Sequence, residues 1–357
     1  MADRYWILGT GTWDSTTTTN WSASSGGAGG ASVPTASDNV FFDANSNVGV
    51  TAFTVTMANS PRVCNDITVS GLDGTMTLAG SGIGLTVSGS LIFPATNFTR
   101  SYSGVTTFNA TTTGKTVTVN GIGLQGVTFD GVGGSWSLQD ALNAVNTCTL
   151  TAGTLNLNQK TLTCPVRFAT GFGTKNLTFN GATLVCSGTN ATSFNNINPT
   201  GFTTTAGTGT GTISMTGATA KTFVGGGATF NCTLNQGGAG ALTITGSNTF
   251  SNITNTYKST GATSILFTAG TTSTFTDWNA SGESTRLLTI GSVTAASHTL
   301  SKASGTISAN FLSISRSTAT GGAGWYAGAS STNGGNNSGW IFTAPPTTAT
   351  GNFLVFF

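Results

Sequence analysis

The chain has 357 residues, of which only 6% are charged and 51 are glycine, and threonine occupies about a fifth of the positions. Ordinary soluble domains carry about 25% charged residues, and several strong helix formers are scarce here, which excludes an α-helical protein. Disorder is excluded as well, because 37% of the residues are hydrophobic and 22 are Phe, whereas disordered chains have few aromatic residues and a high net charge. Thr, Val, Ile and Phe favour strands and Gly favours turns, so the composition predicts an all-β chain.

The charge pattern argues against two classes of partner. The formal net charge of +2 comes from 12 basic and 10 acidic residues that are scattered singly, so the chain has no basic stripe to neutralise a phosphate backbone. No segment reaches the roughly 18 apolar residues of a membrane span, and the opening MADRYWILGTGTW lacks the basic and long apolar regions of a signal peptide. We therefore predict no nucleic acid partner, no membrane partner and assembly in the cytoplasm.

Four regions follow one another along the chain. Residues 1–47 hold Trp6, Trp13 and Trp21 around a glycine-rich stretch, which predicts an N-terminal Trp-rich cap. Residues 48–316 form a β-repeat body, and residues 317–342 form a Gly/Asn-rich C-terminal cap. Residues 343–357 form a Pro/Thr linker that ends in an apolar docking tail.

The body repeats a short phrase in which strand-forming residues alternate with hydroxyl residues before a closing glycine, as in ITVSG, LTVSG, VTVNG, LTFNG and LTITG. Such alternation indicates a strand with one buried face. Several closing glycines recur at intervals of about 30 residues, which favours a β-solenoid, similar to a right-handed parallel β-helix, whose coils each carry two or three strands. Its inward Val, Ile, Leu and Phe would stack as an apolar core. The alternative is tandem β-sandwich or jelly-roll domains, because short strands with frequent turns also fit that architecture.

A solenoid must protect its ends, since an exposed terminal coil is an edge on which another chain can add. The tryptophans near both ends are interpreted as cap core. In the C-terminal cap, Trp325, Tyr326 and Trp340 have amide-rich neighbours, so they are also weak candidates for glycan contact.

Residues that could carry catalysis are few and dispersed. The ten carboxylates form no DxD, adjacent pair or cluster, although hydrolysis of a glycan requires two carboxylates on one wall. The pairs Asp66 and Asp73, and Asp130 and Asp140, are predicted to be turn residues. His298 is the only histidine and is predicted at a strand surface or turn. The Asp38 and Asp43 pair is weak evidence for calcium. We predict no enzyme activity, no cofactor and no metal.

The five cysteines have no metal-binding or paired spacing and are predicted to be small buried hydrophobes. They are Cys64, Cys148, Cys164, Cys186 and Cys232.

The segment after the C-terminal cap is the most informative small feature. The linker TAPPTTATG is followed by Phe353, Leu354, Val355, Phe356 and Phe357, and five consecutive apolar residues are an aggregation liability unless they dock on a surface. We predict that they form an assembly tail that docks on another molecule. Docking on the protein's own body is the alternative.

Three phrases carry a resemblance to a known group: YWILGTGTWDSTTTTNWSASSGGAGGASVPTASDNVFFDANS from Tyr5, LTITGSNTFSNI from Leu242 and SRSTATGGAGWYAGASSTNGGNNSGWIFT from Ser315. They resemble Gly/Thr-rich repeat virion structural proteins of tailed, notably aquatic, bacteriophages, with modules shared by bacterial β-helix surface adhesins. The resemblance covers both ends and much of the middle. It implies a β-helix with a Trp-containing cap and a structural role in the virion.

The resemblance and the residues together predict a non-enzymatic virion protein assembled in the host cytoplasm. A capsid decoration, head-fibre or short appendage subunit fits best, as a homotrimer anchored to capsid or tail proteins by the apolar C-terminal tail. The alternative is a tail fibre or adhesin module that binds host surface polysaccharide. A depolymerase on a β-helix scaffold is a third hypothesis, disfavoured by the scarcity of carboxylates.

Overall fold

The structure is a computed structural model that describes residues 1–47, 49, 51–188, 191–258, 261 and 263–346. In these ranges the chain forms 37 β-strands and one 3-10 turn, Ala44–Ser46, with no α-helix. No helix in this part of the chain has the length and hydropathy needed to cross a bilayer.

The strands are short, and most carry two to five residues. The first thirteen are β1 (Asp3–Trp6), β2 (Gly11–Trp13), β3 (Trp21–Ser22), β4 (Asn39–Phe42), β5 (Ala52–Met57), β6 (Arg62–Cys64), β7 (Ile67–Val69), β8 (Thr75–Ala79), β9 (Leu85–Val87), β10 (Leu91–Ile92), β11 (Phe98–Arg100), β12 (Thr106–Phe108) and β13 (Lys115–Thr118). The next twelve are β14 (Val127–Leu138), β15 (Leu142–Asn143), β16 (Thr147–Asn156), β17 (Thr161–Cys164), β18 (Arg167–Thr170), β19 (Lys175–Thr178), β20 (Thr183–Cys186), β21 (Thr192–Asn196), β22 (Phe202–Thr205), β23 (Gly211–Met215), β24 (Lys221–Val224) and β25 (Thr229–Gln236). The last twelve are β26 (Leu242–Thr245), β27 (Thr249–Asn255), β28 (Ser264–Phe267), β29 (Thr272–Phe275), β30 (Leu288–Ser292), β31 (His298–Ser301), β32 (Thr306–Ser308), β33 (Leu312–Ile314), β34 (Ser317–Thr320), β35 (Gly324–Tyr326), β36 (Thr332–Asn333) and β37 (Trp340–Ile341).

Parallel pairing arranges these strands on three faces of one solenoid. Face I holds β1, β4, β7, β10, β13, the second halves of β14 and β16, β19, β22, the first halves of β25 and β27, β29, β31 and β34. Face II holds β6, β9, β12, the first halves of β14 and β16, β18, β21, β24, β26, β28, β30, β33 and β36. Face III holds β2, β5, β8, β11, β15, β17, β20, β23, the ends of β25 and β27, β32, β35 and β37.

Each coil runs from face III to face II and then to face I. We number coils 1 to 13 by their face II strands, from β6 to β36, which agrees with about 13 turns. The predicted β-solenoid is therefore confirmed, and the sandwich alternative is wrong because nearly all neighbouring strands are parallel.

The predicted spacing of about 30 residues is wrong for most coils, which are shorter. Cys148 pairs with Phe168, which lies 20 residues further along, and Phe194 pairs with Phe223, which lies 29 residues further along. The closing glycines do not mark one point of the coil. Gly121 follows a face I strand, whereas Gly153 lies inside β16, where the chain turns from face II to face I. The intervals between closing glycines were therefore measured between different corners of the coil and do not give its length.

Alternation of side chains explains the core. In β5, Phe53, Val55 and Met57 point inward while the threonines between them are more exposed, as a period-2 strand requires. Inward phenylalanines of successive coils stack on one another. The ring centroids of Phe168 and Phe194 lie 5.5 Å apart, and those of Phe194 and Phe223 lie 4.4 Å apart. The predicted apolar stacks are confirmed.

The regions predicted as caps are continuous with the stack. At the N-terminal end, β1 and β4 already belong to face I, and β3 pairs antiparallel with β1. Trp6, Trp13, Trp21 and Phe42 pack there with ring centroids 5.1 to 6.2 Å apart. This cluster covers the first coil with apolar surface, as the interpretation of these tryptophans as cap core expected.

Candidate functional site

The aromatic residues predicted to contact glycan do not form a surface site. Trp325 and Trp340 are only 1% and 9% exposed, with ring centroids 5.1 Å apart. The Trp325 indole donates to the Thr320 carbonyl at 2.9 Å and the Trp340 indole to Ser317 Oγ at 3.0 Å. Stacking on a sugar needs an open ring face, so the glycan prediction is wrong for these two residues; Tyr326 beside them is half-buried.

The predicted assembly tail, Phe353, Leu354, Val355, Phe356 and Phe357, lies outside the described residues. Its docking stays a prediction.

His298 lies in the core and not at a strand surface or turn, which corrects the prediction. Its ring stacks on Phe267 with centroids 4.8 Å apart, and its Nδ1 lies 2.9 Å from Ser292 Oγ. Burial lowers the pKa of His298 to about 4. A histidine that is neutral, buried and without a carboxylate partner among the described contacts supports packing and not acid–base chemistry.

The carboxylates are held by backbone groups of nearby turns and coils. Asp66 accepts from the Ser90 amide at 2.7 Å, and Asp140 accepts from the Val119 amide at 3.0 Å. Asp43 caps the 3-10 turn by accepting from the Asn45 amide at 2.9 Å. Asp66 and Asp140, which were predicted to bond nearby amides within turns, instead accept from amides of a neighbouring coil. Among the described residues, no group of three His, Cys, Asp or Glu side chains is placed to hold a metal ion.

All five cysteines are free and buried, as predicted. Burial raises the pKa of the thiols of Cys64, Cys186 and Cys232, and a thiol of raised pKa forms little reactive thiolate.

We expect a water-soluble disulfide reagent to modify none of the five cysteines in the native protein and all five after denaturation, measured by the released chromophore. Rapid modification of any native thiol would contradict this burial.

Two lysines, Lys175 and Lys221, are buried, and neither was predicted to be a functional residue. Lys175 donates to the carbonyls of Gly173 and Asn198 at 3.0 and 3.1 Å. Lys221 donates to the carbonyls of Gly217 and Gly240 at 3.0 and 2.6 Å, and burial lowers its pKa to about 8. Each ammonium group joins two loops through carbonyls, which satisfies polar groups that would otherwise be buried without partners.

A surface groove lies on face I across coils 4 to 7. It has a volume of about 280 Å³. Four outward polar side chains from successive coils stand in register along it, Ser135, Thr154, Asn176 and Thr203. Glycines form part of its lining: Gly133, Gly134 and Gly153. We call this feature the face I groove.

Three exposed apolar side chains form a rim at the corner where the chain turns from face II to face I, and one of them, Val132, also lines the groove. The rim consists of Val132 in coil 4, Phe172 in coil 6 and Ile197 in coil 7, which are 73%, 77% and 51% exposed. In coil 5 the strand β16 continues through the same corner, and its residue Ala152 is buried there. Three large apolar side chains thus project from one corner beside a polar groove.

The loop that carries Phe172 is fixed in place. Its neighbours Gly171 and Gly173 lie so close to coil 5 that a Cβ atom on either would come within 2.7 Å of Thr151 or Ala152. The Phe172 carbonyl accepts from Asn198 Nδ2 at 3.2 Å, and the next carbonyl accepts from Lys175. The glycines hold the loop flat, so the phenyl ring between them points outward.

Comparisons with known proteins identify no relative: no family model, no curated protein and no solved structure matches the chain. The fold and surface therefore define its class without a relative. It is a β-solenoid with hydroxyl-rich faces, a groove on face I and an apolar rim.

Proposed function

We propose that this protein is a non-enzymatic structural component of a phage virion, assembled in the host cytoplasm. The observation that supports this most is a continuous apolar column inside three faces of parallel strands, in a chain of which only 6% is charged. Thirteen coils at the sheet spacing of about 4.8 Å make a rod roughly 60 Å long. Such a rod is a stiff spacer, and the resemblance of its sequence to virion repeat proteins gives it a setting.

The described titratable groups support a structural role over an enzymatic one. The only ion pair among the described residues joins Glu283 and Arg286 at 3.9 Å on the surface. His298 and the thiols are buried, and the aspartates examined above are bound to backbone amides. A capsid decoration, head-fibre or short appendage subunit needs shape and attachment, and the solenoid of this chain provides the shape.

Attachment is assigned to the apolar segment 353–357, with capsid or tail proteins as its partners. Replacing these five residues by serine is expected to leave the thermal unfolding of the body unchanged, because the body has its own core, and to remove the protein from particles. Quantitative mass spectrometry of purified virions from the phage that encodes the chain measures incorporation. The matched control is Ile341→Ser, which changes an exposed apolar residue of the body.

Two outcomes would overturn parts of this proposal. Absence of the wild-type protein from purified virions would remove the structural role itself. Normal incorporation of the serine variant would remove the anchoring claim alone. The proposed homotrimer is tested separately by light scattering of the purified protein, where a monomer at micromolar concentration would contradict it.

A further inference from the structure

We propose that the face I groove binds a neutral polysaccharide chain that lies along the solenoid axis, with the Phe172 ring packed against a sugar ring. This binding function goes beyond the structural role and does not depend on it. It also replaces the predicted glycan site at the C-terminal cap, whose indoles are buried.

The exposure of Phe172 is the first step of the argument. Burying a phenylalanine side chain is worth about 1.5–3 kcal/mol, yet this ring is 77% exposed. The loop does not allow it to turn inward, because Gly171 and Gly173 lie against coil 5 and the loop carbonyls are held by Asn198 and Lys175. An aromatic ring that is fixed outward loses little conformational freedom when a ligand covers it.

The polar side chains of the groove provide the second step. Ser135, Thr154, Asn176 and Thr203 repeat along the axis at the strand spacing of about 4.8 Å. Hydroxyl and amide groups each donate and accept hydrogen bonds, as sugar hydroxyls do. Thr203 Oγ1 and Thr205 Oγ1 both donate to Asn176 Oδ1 at 3.1 Å, so the amide is oriented and the threonine oxygens keep lone pairs for a ligand.

The charge of the groove decides which polysaccharide it fits. Its lining includes one titratable side chain, Lys175. That residue is buried, and its ammonium group donates to the carbonyls of Gly173 and Asn198. No charged atom in the lining is therefore available to pair with a carboxylate. A neutral chain matches this surface better than an acidic one.

The apolar rim could also bind a second copy of the protein instead of a sugar. Interfaces between protein copies are most apolar at their fully buried centre. Here Val132 is the one large apolar side chain of the lining, and most of the other side chains are hydroxyls and an amide. An apolar protein face would leave these polar groups without hydrogen-bond partners, whereas sugar hydroxyls would satisfy them, so the groove favours a sugar.

The test measures binding of the full-length protein to immobilised neutral polysaccharides (dextran, mannan and galactan) and to acidic ones (alginate and polygalacturonate). We expect the wild type to bind at least one neutral polymer and neither acidic polymer. Phe172→Ala is expected to weaken that binding about tenfold, which equals 1.4 kcal/mol. The separate variant Thr154→Val, which removes a hydroxyl of the groove, is also expected to weaken it. The matched control is Val293→Ala, which removes an exposed apolar side chain at the same corner of coil 11 and is expected to bind as the wild type does.

Phe172 is exposed, so its replacement leaves the fold intact, and unchanged thermal unfolding verifies this. The proposal is overturned if no neutral polymer binds, if the acidic polymers bind better, or if Phe172→Ala binds as well as the control. It is also overturned if Phe172→Ala changes the mass in light scattering without changing sugar binding, because the corner would then join copies of the chain. Virion incorporation of Phe172→Ala is expected to be normal, which separates this proposal from the structural one.

Discussion

Replacing Phe223 by alanine is expected to lower the free energy of unfolding by about 3–5 kcal/mol. The ring is fully buried in coil 8 and stacks on Phe194 of coil 7 with centroids 4.4 Å apart. It also contacts Phe230 and Phe250, at 5.0 and 5.5 Å. Truncation leaves a cavity that interrupts the aromatic stack between three coils. Urea denaturation followed by circular dichroism measures the change.

Phe172→Ala is the matched control for this prediction, because the same substitution at a 77% exposed ring creates no cavity. We expect its denaturation midpoint to stay within experimental error of the wild type. In a solenoid each coil contacts mainly its neighbours, so hydrogen exchange in Phe223→Ala should increase most in coils 7 to 9. Equal destabilisation by the two substitutions would show that Phe223 is not a core residue.

The fold was predictable because alternation and closing glycines are local signals. Phe53, Val55 and Met57 could be assigned inward from the sequence of β5 alone. The length of the coil was not predictable in the same way, because it depends on which corner each glycine occupies. Gly121 and Gly153 end similar phrases but lie at different corners, and only the pairing between coils distinguishes them.

The groove and rim were missed although part of their signal is in the sequence. Phe172 lies between two glycines, and in a chain of alternating strands such a residue marks a tight corner with an outward side chain. Trp325 and Trp340 were interpreted as cap core, and their glycine- and asparagine-rich neighbours made them weak candidates for glycan contact as well. Their burial comes from stacking β35 on β37, a contact between coils that no local pattern contains.

Strict alternation also indicated which polar residues lie inside. Lys175 and Leu177 are two residues apart in β19, and both point inward. His298 and Leu300 have the same relation in β31. The hydrophilic character of lysine and histidine argued for the surface, but a strand fixes the direction of each side chain by its position.

The low charge of the chain follows from the in-register stacking of the coils. Outward residues of one column lie about 4.8 Å apart. Two like unit charges at that distance repel by about 1 kcal/mol even in water, and the penalty recurs at every coil. Hydroxyl and amide side chains avoid this repulsion and can bond to one another, as Asn176 does with Thr203 and Thr205.

Acidification from pH 7 to pH 4 is expected to lower the free energy of unfolding by about 3 kcal/mol through His298 alone. Burial lowers its pKa to about 4 in the folded protein from an ordinary 6.5. Between these values the unfolded chain binds a proton that the folded protein does not. The stabilisation is therefore complete above pH 6.5, falls as the pH decreases through this window and is lost below pH 4. Urea denaturation at several pH values measures it.

His298→Phe is the variant that isolates this effect. A phenyl ring retains the stacking on Phe267, and Ser292 Oγ keeps the carbonyl of Arg316 as an acceptor, at 3.4 Å. Since His298 is the only histidine of the chain, the variant is expected to lose most of the pH dependence between 6.5 and 4. The aspartates with lowered pKa values, Asp14 and Asp38, act mainly below about pH 4.5, so they add little slope over most of this window. An equal slope in the variant and the wild type would mean that the imidazole is not buried in its neutral form.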